Sequence, residues 1–387
     1  MCAQEKKFLL NIPLKLILTD EGTSHFISNN KKLMRIKLAD NREKFGISLT
    51  NFSPISVQNM ILLDYVKNIE ISMPEFVSRR QEVMDLSKVV VYSLMYKQFN
   101  HELFSKLVAC ECVRKYNRSN PTQILDEQTQ ISEKELLRLM PNRNIVIKKA
   151  KKMILDPIWK DIMENADYTP EERNLYLLMT EKFLDRMNNI SWFIVTKFAK
   201  DDGFPQIEKE LRAKLTEYME KSQLAEYISL MVMELALSNE NANLHKKAAV
   251  MFNGMVDDVE ELLRDPKERL RLINQLVKDN ELVYISWQIG GNSTTSVGNR
   301  GKLEISLYNK AGEFEEVKAS VESAMVEGTT KKSLVDFYRA SNGDNQNLGL
   351  SYLSYVDEAC KKVGVRFESM VKQFSNDLTA TKLNFDF

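Results

Sequence analysis

From about Pro74 to Asp279 the sequence is helical in pattern almost without interruption, and any fold of this 387-residue chain has to be built around that stretch. Two segments announce their own starts. "SEKELLRLM" places Ser132 and Glu135 as a capping box, and "TPEERNLYLLMTEKFLDRMNN" repeats the device with Thr169 and Glu172, with Pro170 at the first helical position. The helix from Thr169 is expected to run to "KDDGFP", where Gly203 and Pro205 stop it. A second long helix is expected from about Gln206 to Lys247, with Leu211, Leu215, Tyr218, Leu224 and Ile228 at helical spacing. A short turn between two long helices implies an antiparallel hairpin.

The flanks change period. Residues 6 to about 75 read as strands: "FLLNIPLKLIL" up to a turn at "TDEG", then "KLMRIKL", "FGISLTNF" and "MILLDYV". After Asn280, "ELVYISWQIGG" and "KLEISLYNKAGEF" read as strands, "KKSLVDFYRA" as a short helix, and a further helix leads into "VRFESMVKQF" and "ATKLNFDF". The expected fold class is α+β and multidomain. A small β-rich, barrel-like domain (1–75) precedes a helical region (76–204), and a long helix with an α/β sandwich follows (205–387).

An apolar share of 43% is enough for real cores, and Lys plus Arg equals Asp plus Glu at 54 each, so no global field attracts nucleic acid or an anionic membrane. The basic run "IKKAKK" (Ile147 to Lys152) reads as a solvated helix face. Cys2, Cys110, Cys112 and Cys360 form no CxxC pair and the three histidines are scattered, so no metal site is expected and the thiols read as reduced. "MCAQEKKFLLNIPLKLIL" is interrupted by Asn11, Pro13 and Lys15, unlike a signal peptide, and no run reaches the roughly 20 apolar residues of a membrane span. These features imply a cytoplasmic protein without membrane insertion. Trp159, Trp192 and Trp287 fall on apolar patterns and read as core.

From about Leu224 the order of elements, with three motif fragments, resembles the ATP-binding domain of histidine kinases and anti-sigma-factor kinases, the GHKL ATPases. The resemblance implies a mixed sheet backed by helices, with nucleotide between them. Its "GxGL" loop corresponds to Asn347, Leu348, Gly349 and Leu350, keeping one glycine of two. Its "DxGxG" turn corresponds to Asn309, Lys310, Ala311 and Gly312, with an amide in place of the adenine-reading carboxylate. Its helix with Glu and Asn one turn apart corresponds to "MELALSNENANLH". Here Glu234 matches, Ser238 stands at the Asn position, and Asn241 to His245 imitate "NAxxH" in another register. The residues implied for nucleotide are therefore Glu234, Asn241, Asn309, Gly312, Asn347 and Gly349, with ATP and magnesium as the implied ligands. Each of the three boxes has lost part of what catalysis requires, so the resemblance implies shape more than reaction.

A shorter echo lies in "LTNFSPIS", where Asn51 and Ser53 approximate the "[DN]xSxxG" motif of the cyclic-di-GMP-binding PilZ domains, with Ser56 at the glycine. The PilZ arginine pair would be met by Lys31 and Arg35. The function expected from the whole is signalling or regulation through protein–protein interaction, with a homodimer through the helical hairpin. An ATP-binding kinase-type regulator and a cyclic-di-GMP-responsive sensor are the alternatives.

Overall fold

The chain is described by a computed structural model over residues 9–126, 129, 133–200, 202–252, 259–290, 301–310, 314–326, 348–375 and 378–387. It is α+β, and divides into two compact units, residues 1–94 with 224–387 and residues 95–223. The first unit contains one sheet of eight strands: β1 (Leu14–Leu18), β2 (Met34–Lys37), β3 (Glu43–Leu49), β4 (Val66–Ser72), β5 (Val283–Ile289), β6 (Lys302–Asn309), β7 (Arg366–Ser375) and β8 (Leu378–Asp386). They lie in the order β2-β3-β1-β4-β5-β6-β8-β7.

Two expectations are corrected here. The strands before residue 75 do not form their own barrel-like domain, because β4 continues directly into β5, with Ile69 opposite Trp287 and Ile71 opposite Ile285. Ile69 and Ile71 are fully buried, and an apolar strand of this kind needs a neighbour on both sides. Every pairing is antiparallel, where the resemblance implies a mixed sheet. The limits of the two compact units, at residues 94/95 and 223/224, fall inside two long helices, α3 (Arg80–Ala109) and α9 (Phe204–Met251), which carry no break in composition to mark them.

Short helices join the early strands. "TDEG" opens α1 (Asp20–Ser28) rather than a turn: Thr19 caps it by accepting the Gly22 N–H at 3.0 Å, and its hydroxyl donates to the Asp64 carbonyl at 2.6 Å. A Cβ at Gly22 would stand 2.2 Å from the Tyr65 carbonyl oxygen, so this helix entry needs glycine. "MILLDYV" divides between α2 (Pro54–Leu62) and β4, with Asp64 making the left-handed turn between them.

One face of the sheet presents Leu14, Leu16, Ile69, Ile285, Trp287 and Ile305, all fully buried. Helices cover this face. The Trp287 indole N–H donates to the Ser87 hydroxyl of α3 at 3.4 Å, and α12 (Phe314–Val326) and α13 (Leu348–Lys362) pack on β7. The other face carries a buried polar row across five strands. Lys15 pairs with Glu70 at 2.9 Å, Ser286 donates to Asn68 at 2.8 Å, and Lys382 pairs with Glu304 at 2.6 Å. The β2–β3 turn folds over this row: the Ala39 N–H donates to Glu70, and Ala39 packs against Tyr308 and Ala380.

The second unit is helical. After α4 (Glu111–Ser119) and α5 (Glu133–Leu139) come α6 (Arg143–Glu164), α7 (Pro170–Arg186) and α8 (Asn189–Lys197). The Thr169 capping box forms as expected, with the Glu172 carboxylate accepting the Thr169 N–H at 2.8 Å. The helix it opens ends at Arg186, because Asn188 caps a new helix by accepting the Ser191 N–H at 2.7 Å. In this unit α9 runs antiparallel to both α3 and α7. Lys214 bonds Glu102 and Lys106 pairs with Glu210, while Gln223 bonds Glu172 and Tyr218 packs on Phe183. Lys148, Lys149 and Lys152 are exposed on α6, as the solvated-face reading expects. Among the described residues no helix is long and apolar enough to cross a membrane.

Candidate functional site

In the first unit, α9 passes the end of β6, and here the structure assembles the densest set of side chains that the sequence singles out. Asn309, the last residue of β6, and Asn243 on α9 form a reciprocal amide pair. The Asn243 Nδ2 donates to Asn309 Oδ1 at 2.9 Å, and Asn309 Nδ2 donates back to Asn243 Oδ1 at 3.1 Å. Asn309 Nδ2 also donates to Asn239 Oδ1 at 3.2 Å. Asn239 and Asn243 are four apart, one turn of the same helix face. Asn241, chosen from the sequence as the ligand residue, is not part of this bonded set. Asn309 and Asn243 are each 3% exposed, so their amides are spent on one another.

The carboxylates around this cluster are also committed. Glu234 pairs with Arg80 of α3; burial raises the Glu234 pKa and Arg80 pulls it back. Glu240 accepts the Phe76 N–H at 2.6 Å and Arg269 at 2.9 Å, and Arg269 reaches Glu75 at 3.0 Å. Arg269 lies on α11 (Pro266–Asp279). Beside Glu240 and Asn243 a small cavity reaches Met73, Leu276 and Val283 with room for about 10 Å3, the space of one water.

Burial pushes the Glu240 carboxyl up to about 7, against the Phe76 N–H and Arg269, which lower it. A carboxyl with a folded pKa above its unfolded one keeps its proton in the folded chain after the unfolded chain has lost it. Its contribution to stability therefore grows as the pH falls from 7 toward 4.5. Urea unfolding should show the wild type gaining about 2 kcal/mol more than Glu240→Gln between pH 7.5 and pH 5. Parallel profiles for the two proteins would contradict this.

Gly349 lies in the first turn of α13, already helical rather than in a loop, and Gly312 and Asn347 lie outside the described residues. The PilZ-like residues lie on separate elements of the first unit. Arg35 is exposed on the edge strand β2, opposite Phe45, with Glu43 4.0 Å away. Phe45 is followed by about 13 Å of extended chain to Leu49, and exposed Asn51 lies beyond it. Lys31 is in the exposed turn after α1, and Ser53 stands at the N-terminal cap position of α2. Among the described residues no group of three or more His, Cys, Asp or Glu could hold a metal ion. Burial pushes the Cys110 and Cys360 thiols up to about 11 and about 12, leaving both as packing groups.

The second unit holds a cleft of about 590 Å3, which no motif in the sequence announces. Its walls include Ile124, Leu139, Val146 and Phe193, with Arg138 and Lys197 among them. Ile124, Leu139 and Val146 are each exposed by 40% or more. The Lys197 ammonium lies 4.4 Å from the centre of the Tyr116 ring.

Comparison with known proteins gives a family and a relative. The model of DUF8084, described as a family of unknown function, matches residues 5–387. An uncharacterized protein of Treponema pallidum (strain Nichols) is 36% identical over 390 residues, covering all of both chains. No solved structure matches.

Proposed function

Because the chain belongs to DUF8084, a family whose description assigns no activity, we propose a function from its own chemistry: a cytoplasmic regulatory protein that acts by binding another protein. The observation that carries this reading is the closed amide cluster. Asn309, the residue in the adenine-reading position of the resembled family, is bonded to Asn243 and Asn239, and the cavity beside Asn243 has room for only about 10 Å3. A nucleotide entering there would have to break buried amide bonds, each costing about 1–3 kcal/mol if left unmade.

Equilibrium dialysis of the full chain against ATP and magnesium tests this. Free ATP should equalise across the membrane, and Asn309→Ala should lose about 1–3 kcal/mol of stability with no change in that distribution. Retention of ATP at one per chain sinks the reading in favour of the alternative, an ATP-binding kinase-type regulator. The placement of Asn309 at a sheet end facing α9 is what speaks for that alternative.

The docking surface is the cleft of the helical unit. Apolar walls beside Arg138 and Lys197 suit a partner segment with an apolar face and flanking acidic residues. Proteins retained from cell extract by the wild type should be lost with Val146→Asp and kept with Lys160→Asp, since both positions are exposed or half-buried on α6. Identical retention by all three would remove the cleft from the proposal.

A further inference from the structure

The free edge of the sheet carries a sequence that complements itself. β7 is the terminal strand of the order, with β8 on one side and no strand on the other among the described residues. It is ten residues long, and Arg366, Glu368, Met370 and Lys372 alternate along the face away from the helices, up to a bulge after Gln373 that carries Phe374. All five are exposed, with Met370 at 44% and Phe374 at 37%. A long edge with exposed apolar side chains is normally covered or blunted, because its unpaired backbone groups template another strand.

We propose that β7 pairs antiparallel with β7 of a second copy of this chain, about a two-fold axis at Met370. In that register Glu368 stands opposite Lys372 of the other copy, twice by symmetry. Met370 meets its own equivalent, all within the regular part of the strand that ends at Gln373. The register is specified by charge. Moving the axis to Ser369 puts Arg366 opposite Lys372, and moving it to Val371 separates Glu368 from Lys372. Axes between residues are excluded, since directly opposed side chains must share a face.

Among the described residues Glu368 and Lys372 make no ion pair; the Lys372 ammonium lies 5.2 Å from the centre of the exposed Phe374 ring of its own copy, and four residues of extended strand hold Glu368 and Lys372 about 13 Å apart. The groove beside them, about 380 Å3 between Lys302, Lys382 and Arg366, leaves space for the other copy's side chains. The joined sheet would run from one copy to the other without an intervening edge.

Analytical ultracentrifugation of the full chain at about 10 μM tests the register. The wild type should sediment with twice the chain mass. Glu368→Lys and Lys372→Glu should each weaken the dimer about 10-fold or more by creating two like-charge pairs, and the double variant should restore it. Both sites are exposed, so circular dichroism should show all four proteins equally folded. A monomeric wild type overturns the proposal and leaves the edge for an extended peptide of another protein. So does a dimer indifferent to the single charge reversals, as a dimer through the helical hairpin would be.

Discussion

Replacing Trp287 by alanine should cost about 3–5 kcal/mol, enough to take a large part of the stability of the first unit. Trp287 is fully buried on β5, between Ile69 of β4 and Ile305 of β6, both fully buried as well. Its indole N–H is bonded to Ser87 of α3. Alanine therefore leaves a cavity at the junction of the strands before and after the helical middle, and frees a buried hydroxyl. Urea unfolding measures the loss. Amide hydrogen exchange measures its distribution: protection should fall in β1, β4, β5 and β6 together, because they share one sheet. Unchanged protection in β1 to β4 would mean that the first 75 residues fold by themselves. By the same argument, residues 1–75 expressed alone should stay unfolded, with Ile69 and Ile71 on an open edge.

Lys382→Met should be almost as damaging, at about 3–5 kcal/mol, for an electrostatic reason. Glu304 and Lys382 are 6% and 9% exposed, on the sheet face away from the covering helices, and the Ser306 hydroxyl donates to the same Glu304 oxygen at 3.3 Å. Removing the ammonium takes away the ion-pair partner of a carboxylate that is only 6% exposed. The double variant Glu304→Leu, Lys382→Met removes both charges and should recover most of the loss, since a buried pair and a packed apolar pair differ little in net stability. Denaturation of the three proteins at pH 7.5 decides it. A double variant as unstable as the single would show that the pair itself, and not the abandoned carboxylate, is what matters.

Sequence reading found what local chemistry writes. Thr169 and Glu172 announce their helix in three residues, and β5 to β8 alternate cleanly enough to be placed within a few positions. It failed where structure depends on distant partners. Polar "TDEG" becomes helical because Thr19 bonds both Gly22 and Asp64, and Asp64 is 45 positions away. Nothing near Ile69 says that its other neighbour is Trp287. At the amide cluster the sequence reading singled out Asn309 and Asn241, and the structure bonds Asn309 to Asn239 and Asn243 of that helix. The i, i+4 spacing of Asn239 and Asn243, visible in "SNENAN", was the signal for the face that meets the sheet.

The bond from Ser72 to the Val283 carbonyl closes a separation of 211 residues. On a ribosome adding about 5–20 residues each second, β4 waits roughly 10–40 s for β5 to be made. Throughout that time the apolar segments of β1 to β4 wait without the strand that completes them, while residues 95–223 emerge in full and have time to fold first. Biosynthesis of this protein thus includes an obligatory interval of aggregation risk, during which holding chaperones have a defined target in β1 to β4.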